Sequence, residues 1–403
     1  MHGYRIALTA PGISILAYGF VQAMLQAAEL IAQREQGKVI DSEAVVPLSR
    51  TALREFRSTG TPFSDLVDAW AKRPKLAERP KTIAMYRGDM RAFESFLYER
   101  NKLWVEDTTV DDWLDYAVHL EKTERHPKTA SRKLGTVRTI FNFAANKRIL
   151  PIGNPCSRVS IEVPDTGRKP RLSFTREHLR ALFSSPVYLD GWRPPRGRAG
   201  EAFFWLPLLA CWTGCREEEL GQLRVEDIDE LPGYGPYLRI TDEHPDQRLK
   251  SASSRREIPL HPELIRCGFL KYVDRQRELG HEWLFDQLTP DRYLKRTSSF
   301  SKLFMRYLRL KLKITDRRYT FHSFRHAYKD ACRSAKLAQE AHDYLTGHAT
   351  PGVGAMYGKY PLTALFDEVS KIVYLGVDLS HLHLGVAEQG GSTKVSAREA
   401  ETA

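Results

Sequence analysis

The sequence predicts a mainly α, multidomain protein in which a helical domain precedes a larger, mostly α domain with a small antiparallel sheet. Three observations predict it. Apolar residues recur at helical spacing in four segments between about residues 63 and 144. Residues 157–172 contain Pro164, Gly167 and Pro170 with little periodicity, which reads as a linker. Beyond it, only Tyr237–Thr241 and Glu257–Leu260 read as strands among helices. At 403 residues the chain is long enough for two or three domains with separate cores.

Residues 1–57 form an N-terminal extension to which the sequence gives no role. Its run from Ile6 to Ala28 carries no charge, but Pro11, Gly12, Gly19, Gln22 and Gln26 interrupt it, and it lacks a strongly basic start and a clear small-residue cleavage site. A partial helix over Ile13–Gln33 is expected there, rather than a leader or a membrane span. The helical domain spans 58–156. Phe63, Leu66, Val67 and Trp70 mark the buried face of its first helix, and Tyr86, Met90, Phe93 and Leu97 that of the second, which Thr82 is expected to cap. Thr108 or Thr109 caps a third, with Trp113, Leu114, Ala117 and Leu120 facing inward. A fourth helix follows Pro127. It turns Leu134, Val137, Phe141 and Ala144 inward, leaves Lys128, Arg132, Lys133 and Arg138 outside, and ends before Gly153, Asn154 and Pro155. In the second domain, 173–380, Thr175, Glu177 and Leu179 read as a helix entry, the two strands pair as a small sheet, and helices dominate beyond Pro262. Residues 381–403 form a C-terminal tail, polar over most of its length and expected to be disordered.

A formal net charge of +11 favours a polyanionic partner. Between Lys302 and Lys336 nine basic residues face only Asp316 and Asp330, a pattern expected of a phosphate-tracking stripe or of a solvated helical face. Five cysteines, Cys156, Cys211, Cys215, Cys267 and Cys332, are an odd number without framework spacing, which fits a reducing cytoplasm better than secretion. They are expected to be buried small hydrophobes, and no cofactor or metal is expected.

Six residues carry the chemistry. In TGCREEEL, Gly214 permits a tight entry to a helix that places Arg216 and Glu219 on one face, so that Glu219 can hold the guanidinium; Glu217 and Glu218 are expected to be solvated. HSFRH puts His322 and Arg325 on one helix face, with His326 packed inside. Two guanidiniums suit the equatorial oxygens of a phosphoryl transition state, because each presents a planar fork that stays protonated; lysine should substitute poorly. Lys250 precedes SASSRREIPL, His348 ends LTGH, and Tyr357 lies nine positions after His348 in a segment bounded by Gly352 and Gly358. A tyrosine attacks phosphorus only when cations stabilise its phenolate or a base takes its proton.

In order and spacing, these motifs resemble the tyrosine recombinase family of the phage-integrase type, from about residue 60 to about residue 380. Thr346 stands where that family frequently has leucine. The resemblance implies a helical core-binding domain that clamps DNA, joined to a tyrosine recombinase catalytic domain. It also implies roles: Arg216 and Arg325 bind the phosphate, Lys250 protonates the departing 5′ oxygen, His322 assists proton movement, His348 hydrogen-bonds a non-bridging oxygen, and Tyr357 is the nucleophile, with Tyr360 as the alternative. The expected activity is site-specific cleavage and rejoining of double-stranded DNA at attachment sites. It passes through a 3′-phosphotyrosine intermediate and a Holliday junction, without metal or ATP, in a homotetrameric synaptic complex that DNA-bending accessory proteins can assist. The expected location is the cytoplasm, on the bacterial nucleoid. Lys128, Arg132, Lys133, Arg138, Arg168, Lys169, Arg171, Arg255 and Arg256 are the expected further DNA contacts.

Three other readings compete: a type IB topoisomerase, a non-catalytic architectural DNA-binding protein, and a metal-dependent nuclease or transposase built on Glu218, Asp227 and Asp229.

Overall fold

The computed structural model describes residues 60–77, 79–150, 153–164, 171–195, 199–348 and 360–384, with isolated helical positions between 24 and 36. Most of the expected helix over Ile13–Gln33, along with Arg168, Lys169, Tyr357 and the tail from 385, lies outside the described residues. The chain divides into two compact units, Met1–Thr166 and Gly167–Ala403.

In the first unit α1 (Phe63–Ala71), α2 (Pro80–Tyr98), α3 (Val110–Thr123) and α4 (Pro127–Asn146) enclose an aromatic core. Phe93 lies 4.5 Å from Trp113 and 5.8 Å from Phe141, ring centre to ring centre, and Trp113 meets Phe141 edge-on at 4.8 Å. Thr109 caps α3: its Oγ1 accepts from the Asp112 N–H, and Asp112 Oδ2 accepts from the Thr109 N–H at 2.9 Å, a reciprocal capping box. Thr82 is no cap, because α2 begins at Pro80, which has no N–H to leave unsatisfied and a φ already set for a helix. On α3, Leu114 is 49% exposed and Tyr116 is buried in its stead. Trp113, Tyr116, Ala117 and Leu120 follow the i, i+3, i+4, i+7 rhythm of a buried stripe, and Leu114 falls one residue past it.

The linker also starts later than its composition indicates. Cys156, Val159 and Ile161 are buried in the first core, held there by Arg138, whose Nε reaches Cys156 Sγ at 3.4 Å and whose Nη2 donates to the Val159 carbonyl. Arg138 is therefore a half-buried strut rather than an outward phosphate contact. Arg132 pairs with Asp89 at 2.6 Å and Lys133 with Glu124, while Lys128 remains exposed.

The second unit packs helices around one core and carries an antiparallel sheet of order β1-β2-β3, with β1 (Ile228–Leu231), β2 (Gly235–Ile240) and β3 (Arg256–Pro259). Leu238 pairs with Ile228 on one side and with Ile258 on the other. β1 is absent from the sequence reading because four residues, IDEL, with two acids are too short to show an alternation. α5 (Arg176–Phe183) opens the unit with Thr175 as its cap. α6 (Ala202–Thr213) is buried on nearly every side, as its apolar sequence requires. It ends at Gly214, whose φ of +64° and close approach to the Tyr328 ring, 2.4 Å from where a Cβ would stand, both exclude a side chain.

Candidate active site

Gly214 turns the chain so that Arg216 becomes the N-cap residue of the short α7 (Glu217–Gly221). Arg216 is thus extended, just before the helix rather than on its face as the spacing predicts. Glu219 still holds it twice: Oε2 accepts from the Arg216 backbone N–H at 2.9 Å, and Oε1 accepts from Nη1. The guanidinium also donates to Ser254 Oγ at 3.2 Å and to the Gly347 carbonyl at 3.4 Å.

Arg325 lies one turn into α11 (His322–Ser334) and is 3% exposed. Its Nη1 donates to the Gly214 carbonyl at 2.9 Å, and its Nη2 lies 3.2 Å from His348 Nδ1. Burial, then the Arg216 and Arg256 charges, pushes its pKa down to about 10. His348 follows Gly347, the left-handed C-cap of α12 (Gln339–Thr346). Thr346 Oγ1 contacts His348 Nδ1 at 2.8 Å, a polar contact that leucine cannot make.

The structure thus brings Arg216, Arg325 and His348 together. His322 joins them electrostatically at the start of α11: burial, then His326, Arg171, Arg325 and Arg216, lowers it to about 4. Burial, then Arg325 and Lys329, lowers His348 to about 4 as well. Arg171 is exposed at the entry to this unit and contributes charge beside His322. Lys250 is exposed in the β2–β3 connection, whose Ser254 touches Arg216. Tyr357 lies outside the described residues. His326 is half-buried, its ring 5.1 Å from that of His322.

Both histidines are neutral at pH 7, with folded-state pKa values below their usual 6.5. The unfolded chain therefore binds more protons as the pH falls from about 6.5 towards 4, and folding stability is lost across that window. Both groups are partly solvated, so the expected loss is of the order of 1 kcal/mol. Urea unfolding at pH 7 and pH 5, together with imidazole titration by NMR, checks it.

Several neighbours correct the sequence reading. Arg256 is no phosphate contact, because its side chain is 1% exposed and its Nη2 meets Glu219 Oε2 at 2.8 Å. Burial would raise Glu219, but Arg256 overrides it and holds the carboxyl at about 2. Arg255 is exposed and pairs with Asp242. Glu218 is not solvated: it accepts the Arg296 and Thr297 N–H groups at 2.7 and 3.1 Å, just before α10 (Ser298–Leu310). Glu217 reaches Ser301 of the same helix, and burial raises its pKa.

Asp227 is buried, accepting from the Arg224 N–H and from Gln247, and Asp229 is an exposed residue of β1. Among the described residues Glu218, Asp227 and Asp229 form no metal-ligand group.

The basic stripe is broken up in the same way. Arg309 serves the Ile314 and Tyr319 carbonyls, Arg318 pairs with Asp316, and Arg333 with Asp330. Lys329, one turn beyond Arg325, points into the site, with Nζ 2.9 Å from Asp343 Oδ1 and 3.3 Å from His348 Nδ1. Sequence reasoning counts it only within the stripe, although its i+4 spacing from Arg325 is the signal that places it here.

Residues 75–148 match the family model for the phage integrase N-terminal SAM-like domain. The chain is 27% identical over 150 residues to tyrosine recombinase XerC of Oceanobacillus iheyensis, covering 37% of this chain and 46% of that protein. It is 30% identical over 148 residues to XerC of Roseiflexus castenholzii, covering 37% and 44%. The chain therefore spans about half the length of the curated relatives it matches. Its fold is similar to that of the Tn1549 transposon integrase in complex with circular intermediate DNA, at TM-score 0.51 and 16% identity over 76% of this chain and 98% of that one. A second structure of that integrase, with transposon right end DNA, gives TM-score 0.50 over 77% and 99%. Among the described residues no helix is long and apolar enough to cross a membrane. In its first unit and over the segment shared with these relatives, the chain is similar to the tyrosine recombinases of the phage-integrase type.

Proposed function

We propose that the protein is a site-specific DNA recombinase that cleaves and rejoins strands through Tyr357. The observation that carries this reading is the meeting of Arg216 and Arg325, from motifs more than a hundred residues apart, beside His348 and His322. Two cations and two neutral imidazoles, with hydrogen bonds already directed, suit a phosphodiester whose negative charge relieves the crowding of the guanidiniums. The Tyr357 hydroxyl attacks phosphorus, the Oη–P bond forms and the P–O5′ bond breaks. His322 assists the phenolic proton's departure and Lys250 supplies a proton to O5′. The 3′-phosphotyrosine stores the bond energy, so neither ATP nor a catalytic metal enters the reaction. Attack by a partner strand's 5′ hydroxyl exchanges strands, and two rounds pass through a Holliday junction in a homotetramer on two attachment sites, with DNA-bending proteins as assistants. The first unit serves as the DNA-clamping module, with Lys128 as its exposed basic contact on α4.

The test uses a nicked suicide duplex carrying the element's attachment site, incubated with the protein in EDTA and run on a denaturing gel. A covalent protein–DNA band whose nucleotide maps to the Tyr357 peptide supports the reading. Cleavage only on adding Mg²⁺ overturns it, and binding without cleavage in either condition leaves an architectural protein.

A further inference from the structure

A second cluster of chemical side chains lies outside the phosphate-binding residues. Glu263 belongs to α8 (Pro262–Arg266), Cys267 is the C-cap of that helix, and His383 follows the single turn Ser380–Leu382. One donor atom from each lies within 4.8 Å of the other two, and His383 Nε2 is 2.6 Å from Glu263 Oε1. We propose that Glu263, Cys267 and His383 form a binding site for a zinc-class divalent cation that ties the segment around residue 383 to α8.

Four features carry the assignment. Glu263 and Cys267 are four residues apart, so one side of the helix presents both. A carboxylate, a thiolate and a neutral imidazole sum to two negative charges, which match a divalent ion, and their mixed oxygen, sulfur and nitrogen donors select zinc over magnesium or calcium. Arg266 holds Glu263 Oε2, leaving Oε1 directed at His383, the arrangement by which an outer partner orients a ligating carboxylate. The chain around His383 is already anchored, since the Leu384 N–H donates to the Arg266 carbonyl at 2.9 Å and Leu384 packs on Gly268.

Tetrahedral zinc separates its donors by about 3.3–3.8 Å, so side-chain rotations that open the His383–Glu263 pair from 2.6 Å and draw in any wider-spaced donor by up to roughly 1 Å complete the site, with water as the fourth ligand. Binding releases the Cys267 proton to solvent. It also places the His383 proton on Nδ1, freeing Nε2 for the metal and replacing the hydrogen bond to Glu263. Burial, then the Glu263 charge, pushes the Cys267 thiol up to about 12, so without the cation this thiol stays protonated. The role is structural: none of the three residues belongs to the Arg216–Arg325–His348 cluster.

The test titrates Co²⁺ into the untagged full-length protein after chelator dialysis. A thiolate-to-cobalt charge-transfer band saturating at one equivalent is expected, with a Zn²⁺-dependent rise in Tm. Cys267→Ala and His383→Gln should each lose the band and weaken binding at least tenfold, while Cys332→Ala keeps both properties. His383 is half-buried at the end of the described chain, so its glutamine variant folds even where the Cys267 cavity destabilises. Absence of the band in wild type, or its survival in both variants, overturns the proposal. Neither outcome bears on strand cleavage, because the readout is metal alone.

Discussion

Tyr357→Phe is expected to abolish the covalent protein–DNA adduct, whereas Tyr360→Phe is expected to retain it. The two tyrosines are three residues apart, and the sequence offers both as nucleophiles. Tyr360 is half-buried and packs on the second core, its ring centre 6.3 Å from that of Tyr344. It directly precedes Pro361, the N-cap of α13 (Leu362–Ser370), which fixes its backbone at a helix entry. Its role is packing, and phenylalanine preserves the ring that packs. Tyr357 lies nine residues beyond His348, in a glycine-bounded stretch that no helix boundary pins in the sequence. On the proposed mechanism, deleting its hydroxyl removes the atom that bonds to phosphorus. A loss on the order of 10⁶-fold, the scale seen when a covalent nucleophile is deleted from an otherwise complete site, is the expected result. DNA binding should survive, since Arg216 and Arg325, the proposed phosphate ligands, are unchanged. An adduct persisting in Tyr357→Phe but lost in Tyr360→Phe would transfer the nucleophile to Tyr360.

What the sequence discloses follows from how far each interaction reaches along the chain. The four helices of the first unit are legible because each buries one stripe at helical period, and Thr109 is legible because a capping box is local. Leu114 shows the limit: an apolar residue one position off the stripe stays exposed, and nothing nearby in sequence says so. Arg216, Arg325 and His348 are legible as a set only through motif spacing, since the contacts uniting them join residues 111 and 131 positions apart. Charge is the least legible property. Glu217 and Glu218, beside an arginine expected to bind an anion, read as an oddity in one dimension. In three dimensions Glu218 accepts the two backbone N–H groups just before α10, and Glu217 accepts from the Ser301 hydroxyl within it. Arg138 and Arg256 look like surface cations in sequence and prove to be internal fasteners. His383 lies more than a hundred residues from Glu263 and Cys267, so ligand spacing could not reveal that cluster.

Arg256→Met is expected to destabilise the fold by about 3–5 kcal/mol and to lower strand cleavage further than that loss explains. Arg256 connects three motifs from inside: Nη2 to Glu219 Oε2 at 2.8 Å, Nε to the Leu345 carbonyl at 2.8 Å, and Nη1 to the Ser254 carbonyl at 2.7 Å. Gly347, with φ +60°, lies against the guanidinium so closely that a Cβ there would stand 2.9 Å from Nη1. Arg256 thus holds the carboxylate that aims Arg216 and seats the turn that carries His348. Methionine fills the volume but strands a buried carboxylate and two carbonyls, the costly half of breaking a buried pair. Lysine restores the charge without the fork, so it cannot reach three acceptors at once. Pairing Arg256→Met with Glu219→Gln removes the stranded charge and should recover much of the stability, as urea unfolding will report, while single-turnover cleavage stays low because Arg216 loses its holder. If the double variant regained wild-type cleavage along with stability, Arg256 would be a folding residue alone. If it regained only stability, the internal arginine sets the geometry of Arg216 and of the turn that carries His348.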